Sequence, residues 1–319
     1  MTHRPAAIVI AASSLFAAPA CAQTPLVAPS QWGAEDQAGA SNTQTPEKAR
    51  QAAALITEGV TYPLARTIDS SIPLFGERVY GIRGTGAPAA GPLGSNNWLF
   101  NDDFIAGEIN QIGTQFDALG HVGVWGPDGP VYYGGRPGSE VNAPNGLAAL
   151  GVEQVKPFFT RGILVDMESY RGGMLDAGDE VTIADIEGAL AAQGVDPDTI
   201  STGDVVFIHT GWGRLWGVDD ARFSAGAPGV GLDAAVWLAD KGVALIGGDS
   251  SAVEVSPGPD PNVAAPVHME MLARRGVFLL ENAATERLAD AGVSEFAFSF
   301  TPVPFKGATG APGAALAIR

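Results

Sequence analysis

The feature that most constrains this fold is the alternation of apolar runs and capped helical segments across the second half of the chain. Ile163-Leu-Val-Asp166, Asp204-Val-Val-Phe-Ile-His-Thr210, Val243-Ala-Leu-Ile246 and Val277-Phe-Leu-Leu280 read as strands. Between them Thr182 caps a helix to about Gln193, Leu232 to Lys241 forms a second, and Pro266 to Arg275 a third. Thr285 to Ala291 adds a short helix, and Glu295 to Phe300 alternates like a strand. Such strand-helix-strand units imply partly parallel pairing in an α/β sheet. Upstream, Thr45-Pro46 opens a helix that runs to Gly59, and Val60 to Thr67 reads as a strand. Residues 81–97 read as a long surface loop, and Gly126 to about Glu153 as a second loop-rich region, in keeping with 42 Gly and 23 Pro in 319 residues. No sharp linker or repeat follows residue 45. The expectation is one domain over 45–319, preceded by a flexible segment, 23–44.

The ends and the charge narrow the function. Residues 1–22 read as a secretory signal: His3 and Arg4, an apolar stretch from Ala6 to Phe16, then Ala20-Cys21-Ala22 as the cleavage site. The expected location is therefore the periplasm or the exterior. Lipid anchoring at Cys21, the chain's single cysteine, is the competing outcome. Cleavage leaves no thiol, which excludes thiolate catalysis and cysteine-metal sites. No later apolar segment reaches the roughly 18 residues of a membrane span. The net charge of −17 repels phosphate backbones, so the expected partner is a small molecule and not a nucleic acid.

The chemistry concentrates in Gln111-Ile-Gly-Thr-Gln115-Phe-Asp117-Ala-Leu-Gly-His121. Gln111, Gln115, Asp117 and His121 all occupy odd positions, so wherever the segment is extended they share one face. Far down the chain, His268 starts a helix, where the dipole is expected to keep it neutral and able to ligate. Glu281 ends a very apolar strand, and a carboxylate there needs a partner; a metal is one candidate and Arg287 another. His209, inside an apolar strand, reads as a core or pocket-edge histidine. Trp98, Phe100, Phe104, Trp125 and Trp212 flank the polar positions, and of these Trp98, Phe104 and Trp212 are the candidates for lining a substrate pocket.

These residues resemble the cyclase family, which includes bacterial kynurenine formamidases and isatin hydrolases and carries the pattern H-x-G-T-H-x-D-x-P-x-H. Gly113, Thr114, Asp117 and His121 match it, and Gly203 to Trp212, Leu232 to Asp249, His268 to Asn282 and Lys306 to Gly310 resemble further segments of the family. The resemblance covers roughly residues 45 to 319. It implies a swivelling β/β/α-type α/β domain with a mixed sheet and flanking helices, often oligomeric, built around one or two zinc or manganese ions. It implies hydrolysis of amide-like bonds in small molecules. Asp117 matches a carboxylate able to bridge two metals, His268 and Glu281 match metal ligands, and His121 matches the proton-transfer histidine.

The chain departs from the pattern at Gln111 and Gln115, which stand where the family has histidines, and at Leu119 in place of proline. An amide oxygen is a weaker ligand for zinc than imidazole and suits manganese, magnesium or calcium better. One metal on Asp117, His268 and Glu281 is thus the conservative expectation, with Gln111 or Gln115 ligating or orienting water. Thr114 or backbone amides are candidates for oxyanion stabilisation. The expected activity is cleavage of a C–N bond in a small amide or lactam. The alternatives are a non-catalytic periplasmic binding protein of the same fold, or a lactone or ester hydrolase or cyclase using the same site.

Overall fold

Nine strands form the mixed sheet on which the domain is built. The computed structural model describes residues 25–84, 89–110 and 112–319; the expected export signal with Cys21, and Gln111, lie outside them. The strands of the sheet are β1 (Thr61–Pro63), β2 (Gln115–Asp117), β3 (Phe158–Asp166), β4 (Val205–His209), β5 (Leu245–Gly248), β6 (Phe278–Glu281), β7 (Glu295–Phe300), β8 (Gly310–Pro312) and β9 (Leu316–Ile318). They lie in the order β1-β9-β7-β3-β4-β5-β6-β2-β8. The central run from β3 to β6 is parallel, each step crossing over through helix. Every other neighbour pair is antiparallel. This is the mixed α/β sheet with flanking helices that the alternation predicts.

Two of the flanking helices begin where side chains satisfy their free amides. In α1 (Pro46–Ala54) Thr45 Oγ1 accepts from Lys48 N, with proline in the first turn. In α2 (Ile183–Ala192) Thr182 and Asp185 form a reciprocal capping box. Next, α3 (Leu232–Asp240) packs between β4 and β5 in sequence. Finally α4 (Pro266–His268) passes directly into a π-helical stretch, Met269–Arg275, that ends at Gly276 with φ +68°. A Cβ at Gly276 would meet the Tyr133 ring at 2.4 Å, so both backbone and space require glycine there.

One aromatic cluster anchors the edge that carries the site. Phe116 stacks on Phe278 at 4.9 Å and packs against Phe300 at 5.3 Å and Phe158 at 6.0 Å. All four rings are fully buried. Burying each contributes about 2–3 kcal/mol. Because strand side chains alternate, Phe116 facing this core sends Gln115 and Asp117 to the opposite face.

Some expected boundaries shift. The first helix stops at Ala54, five residues before Gly59, and β1 covers only Thr61–Pro63. Residues 81–97 are not a plain loop: Tyr80–Gly84 pairs with Asp103–Gly107, and Ala90–Leu93 with Trp98–Phe100. A small three-stranded sheet, Val124–Gly126, Gly129–Tyr132 and Arg136–Pro137, likewise lies within the second loop-rich region. These ribbons are partly or fully exposed and turn on residues such as Gly94 and Asn97, both at positive φ. Cross-strand hydrogen bonds hold them without the apolar periodicity that marks a buried strand.

Candidate functional site

Register brings the first polar residues together. Across the β6–β2 pair, Glu281 stands opposite Gln115 and Leu279 opposite Asp117. Directly opposed residues share a face, so Gln115, Asp117 and Glu281 emerge side by side. The join is locked from behind. Thr114 Oγ1 donates to Asn282 O at 2.8 Å and accepts from Arg66 N at 2.9 Å, while Asn282 Nδ2 donates to Gly113 O at 3.0 Å. Gly113 has φ +61°, and a Cβ there would lie 2.7 Å from Ile68. The Gly-Thr pair of the motif is therefore a clamp on the residue after Glu281. Its hydroxyl is committed to backbone, so Thr114 serves structure here and not an oxyanion.

His268 arrives from the first turn of α4. Its Nδ1 bonds to Glu254 Oε1, and Glu254 also accepts from His268 N at 3.2 Å and from Val267 N at 2.9 Å. A carboxylate from the loop after β5 thus satisfies the amides of the helix start and fixes the imidazole, leaving Nε2 to face the strands. There Nε2 lies 3.1 Å from Glu281 Oε1 and 3.5 Å from Asp117 Oδ2. Sequence reasoning missed Glu254. The signal was present in Ala252-Val-Glu-Val255, a carboxylate inside an apolar run, the same pattern that singled out Glu281.

Ligand atoms of Asp117, His268 and Glu281 all lie within 4.8 Å of one another. Asp117 and Glu281 are essentially inaccessible, and His268 is 9% exposed. Burial pulls the His268 imidazole down, but bonds to Asp117, Glu254 and Glu281 and the charge of Glu281 hold it well above its usual value. In the metal-free cluster these carboxylates act against the helix dipole, which by itself favours the neutral ring. Burial likewise raises the Asp117 carboxyl, yet the charge of His121, the bond and charge of His268 and the Gln115 amide together bring it below the usual range.

The donor set fits a divalent cation. Two buried carboxylates and one imidazole nitrogen, oriented by a further carboxylate, form a common coordination chemistry. Asp117 Oδ2 is buried and meets His268 Nε2 at 3.5 Å, an ion-pair distance and not a close hydrogen bond. The cluster favours positive charge, and a metal held there would supply it through deprotonated ligands, including a neutral His268.

Beside the cluster lies a cavity of about 660 Å³ lined by His121, Glu254, His268 and Glu281 on one side and by Phe75 and Val255 among others. His121 is the accessible member among the described residues of the motif, its side chain 25% exposed and its Nε2 3.8 Å from Asp117 Oδ1. A turn, closed by His121 N donating to Ala118 O at 2.9 Å, carries it past the end of β2. The three expected pocket aromatics do not line this cavity. Trp98 is 53% and Phe104 48% exposed on the ribbons, and Trp125 points to solvent as well. Trp212 is buried in a separate small cluster with Leu215 and Phe223. Alternation on a solvent-exposed ribbon gives aromatics the spacing of a core strand without a core. Phe75, which sequence reasoning passed over, supplies the aromatic wall.

His209 is a core histidine, as its strand suggests. Its Nδ1 bonds Thr285 Oγ1 at 2.8 Å, with Asp249 Oδ2 at 3.3 Å, and its Nε2 meets Glu168 Oε2 at 3.0 Å. None of these residues lines the cavity.

Comparison with known proteins places the chain. A family model described as a putative cyclase matches residues 62–255, well over half the sequence. A solved structure described as a novel cyclase is 33% identical, with a TM-score of 0.79 over 91% of this chain and 98% of that one. The chain belongs to the cyclase family. Isatin hydrolase A from Ralstonia solanacearum shares the fold at 21% identity and TM-score 0.61, over 86% of this chain and 98% of its own. A protein from Bacillus stearothermophilus described as a predicted metal-dependent hydrolase does so at 19% identity and TM-score 0.51, over 81% and 97%. No curated protein matches the chain.

Proposed function

We propose that the chain is an exported hydrolase that uses a divalent cation to open the C–N bond of a small amide or lactam. The observation that carries this reading is the convergence of Asp117, His268 and Glu281 beside a cavity whose wall includes His121. The shared fold with an isatin hydrolase, whose named substrate is itself a cyclic amide, supports the choice of bond.

Asp117, His268 and Glu281 would hold the cation, which would lower the pKa of a water and polarise the scissile carbonyl. Glu254 fixes the His268 ring so that Nε2 faces Asp117 and Glu281. His121, reachable from the cavity, takes the proton of the attacking water at Nε2 and returns it to the leaving nitrogen. Asp117 Oδ1, 3.8 Å away, steadies the charged ring between those two transfers. The cavity suits a single small ring, with Phe75 as a flat apolar wall.

The test is turnover of formanilide and of isatin by protein stripped with a chelator and then reloaded with Mn²⁺ or Zn²⁺. Reloading should restore activity, and His121→Asn should lower kcat by about 10²–10⁴-fold at unchanged metal content. Failure of the reloaded protein on amides and lactams, with turnover of lactones or esters, would move the reaction class. Failure on all of them would favour a binding protein.

A further inference from the structure

We infer that Arg78 is a specificity-determining residue of the cavity, and that the substrate is an aromatic amide or lactam bearing a carboxylate, which the guanidinium binds. This rests on the hydrolase reading above and names the substrate class within it.

Arg78 lines the cavity together with Phe75 and His121, and is half-buried. Gly76, at φ +70°, turns the chain back so that Arg78 Nη1 donates to Phe75 O at 2.7 Å. The guanidinium carbon then stands 5.6 Å from the centre of the Phe75 ring. One nitrogen is tethered and the group rests over an aromatic face, so it is held in place before any ligand arrives. Its Nε and Nη2 have no hydrogen-bond partner among the described residues. The chain has 35 acidic side chains to 18 basic ones, so a partner is easily found. Arg66, Arg161, Arg214 and Arg275 each pair with a carboxylate, whereas Arg78 pairs with none among the described residues. Glu108 feels its charge, but the Glu108 carboxylate accepts from Val79 N at 2.7 Å and forms no ion pair with Arg78.

The rest of the wall makes that free charge informative. Glu254, Asp260 and Glu281 also line the cavity, so an entering anion would be repelled unless a cation receives it. None of the three occupies Arg78. Glu254 and Glu281 are taken up by His268, and Asp260 Oδ1 accepts from Asn262 N at 2.9 Å and from Asn262 Nδ2 at 3.0 Å. The planar guanidinium therefore keeps one edge, Nε–H and Nη2–H, whose geometry matches the two oxygens of a carboxylate. Phe75 supplies a face for a ring, Arg78 a partner for its charge, and the Asp117, His268 and Glu281 cluster the reacting end. A site with such an unused donor pair discriminates against a substrate that leaves it unpaired.

Turnover of 3- and 4-formamidobenzoate against formanilide by Mn²⁺-reloaded protein tests this, because the ring holds the carboxylate of both benzoates away from the scissile amide. The wild type should prefer at least one benzoate by about tenfold or more in kcat/KM, through KM. Arg78→Met should erase that preference, and Arg78→Lys, which keeps the charge but not the fork, should restore part of it. No preference in the wild type, or a loss in Arg78→Met shared equally by the benzoates and formanilide, would leave Arg78 as a prop for Phe75 and overturn the inference. Calorimetric titration of metal-free protein with benzoate reads the same contact without turnover. The dissociation constant should rise about tenfold or more in Arg78→Met; binding that is absent, or equal in the two proteins, overturns the inference. If the wild type hydrolyses none of the three amides yet binds benzoate through Arg78, the hydrolase reading falls and the carboxylate site stands.

Discussion

Replacing His209 by glutamine should flatten the loss of stability between about pH 6.5 and 9. The imidazole is completely buried at the end of β4. Burial lowers its pKa, but the bond and charge of Asp249, then the bond to Glu168 and the charge of Asp166, push it up from 6.5 to about 9. The folded state therefore binds a proton that the unfolded chain releases. Its contribution is complete below about pH 6.5 and disappears as pH rises through about 9, an effect of about 3 kcal/mol. The partner works in the opposite direction. Asp249 is held below the usual carboxylate range, mainly because His209 and Thr210 outweigh its burial, so its contribution is lost as acid protonates it. Stability should thus be greatest from mildly acidic to neutral pH. Urea unfolding followed by tryptophan fluorescence from pH 6 to 9.5 measures the effect. The wild type should lose about 3 kcal/mol over that range and His209→Gln far less. Parallel curves for the two proteins would refute the idea that His209 is a buried cation.

Two other substitutions separate the site from the scaffold. Glu254→Gln removes the charge that holds His268 Nδ1, and should weaken divalent metal binding by about 10–100-fold in a direct titration. Lys48 forms a buried ion pair with Asp204, whose other oxygen accepts from Ser201 N at 2.9 Å. Lys48→Met should cost about 3 kcal/mol in urea unfolding at pH 7, with Asp204→Leu in the same chain recovering much of it; metal affinity should be unchanged in both.

The central sheet was legible because its signals are local. Continuous apolar runs marked β3 to β6, and Thr182, read as a cap, marked the start of α2 to the residue. Glu281 was legible because a carboxylate among apolar residues needs a partner, and Asp117 because it alternates with Gln115 and His121 on one strand face. What escaped was set by distant segments. The surroundings of His268 depend on Asp117, Glu254 and Glu281, which come from three separate stretches of chain, whereas the sequence shows only its own helix. The site of Thr114 as a clamp depends on Asn282, 168 residues away. Trp98 and Phe104 have the spacing of strand residues, and they are strand residues; nothing in that spacing says that their ribbon lies open to solvent. The edge order β6-β2-β8 is likewise absent from any local pattern, because a strand of three residues leaves almost none.

Anomalous scattering at the manganese edge from crystals of the Mn²⁺-loaded protein tests the account at its root. It predicts one strong peak within coordinating distance, roughly 2.0–2.3 Å, of an Asp117 carboxylate oxygen, His268 Nε2 and a Glu281 carboxylate oxygen. A peak bound by other side chains, or full metal occupancy with those three residues still paired only to one another, would contradict it.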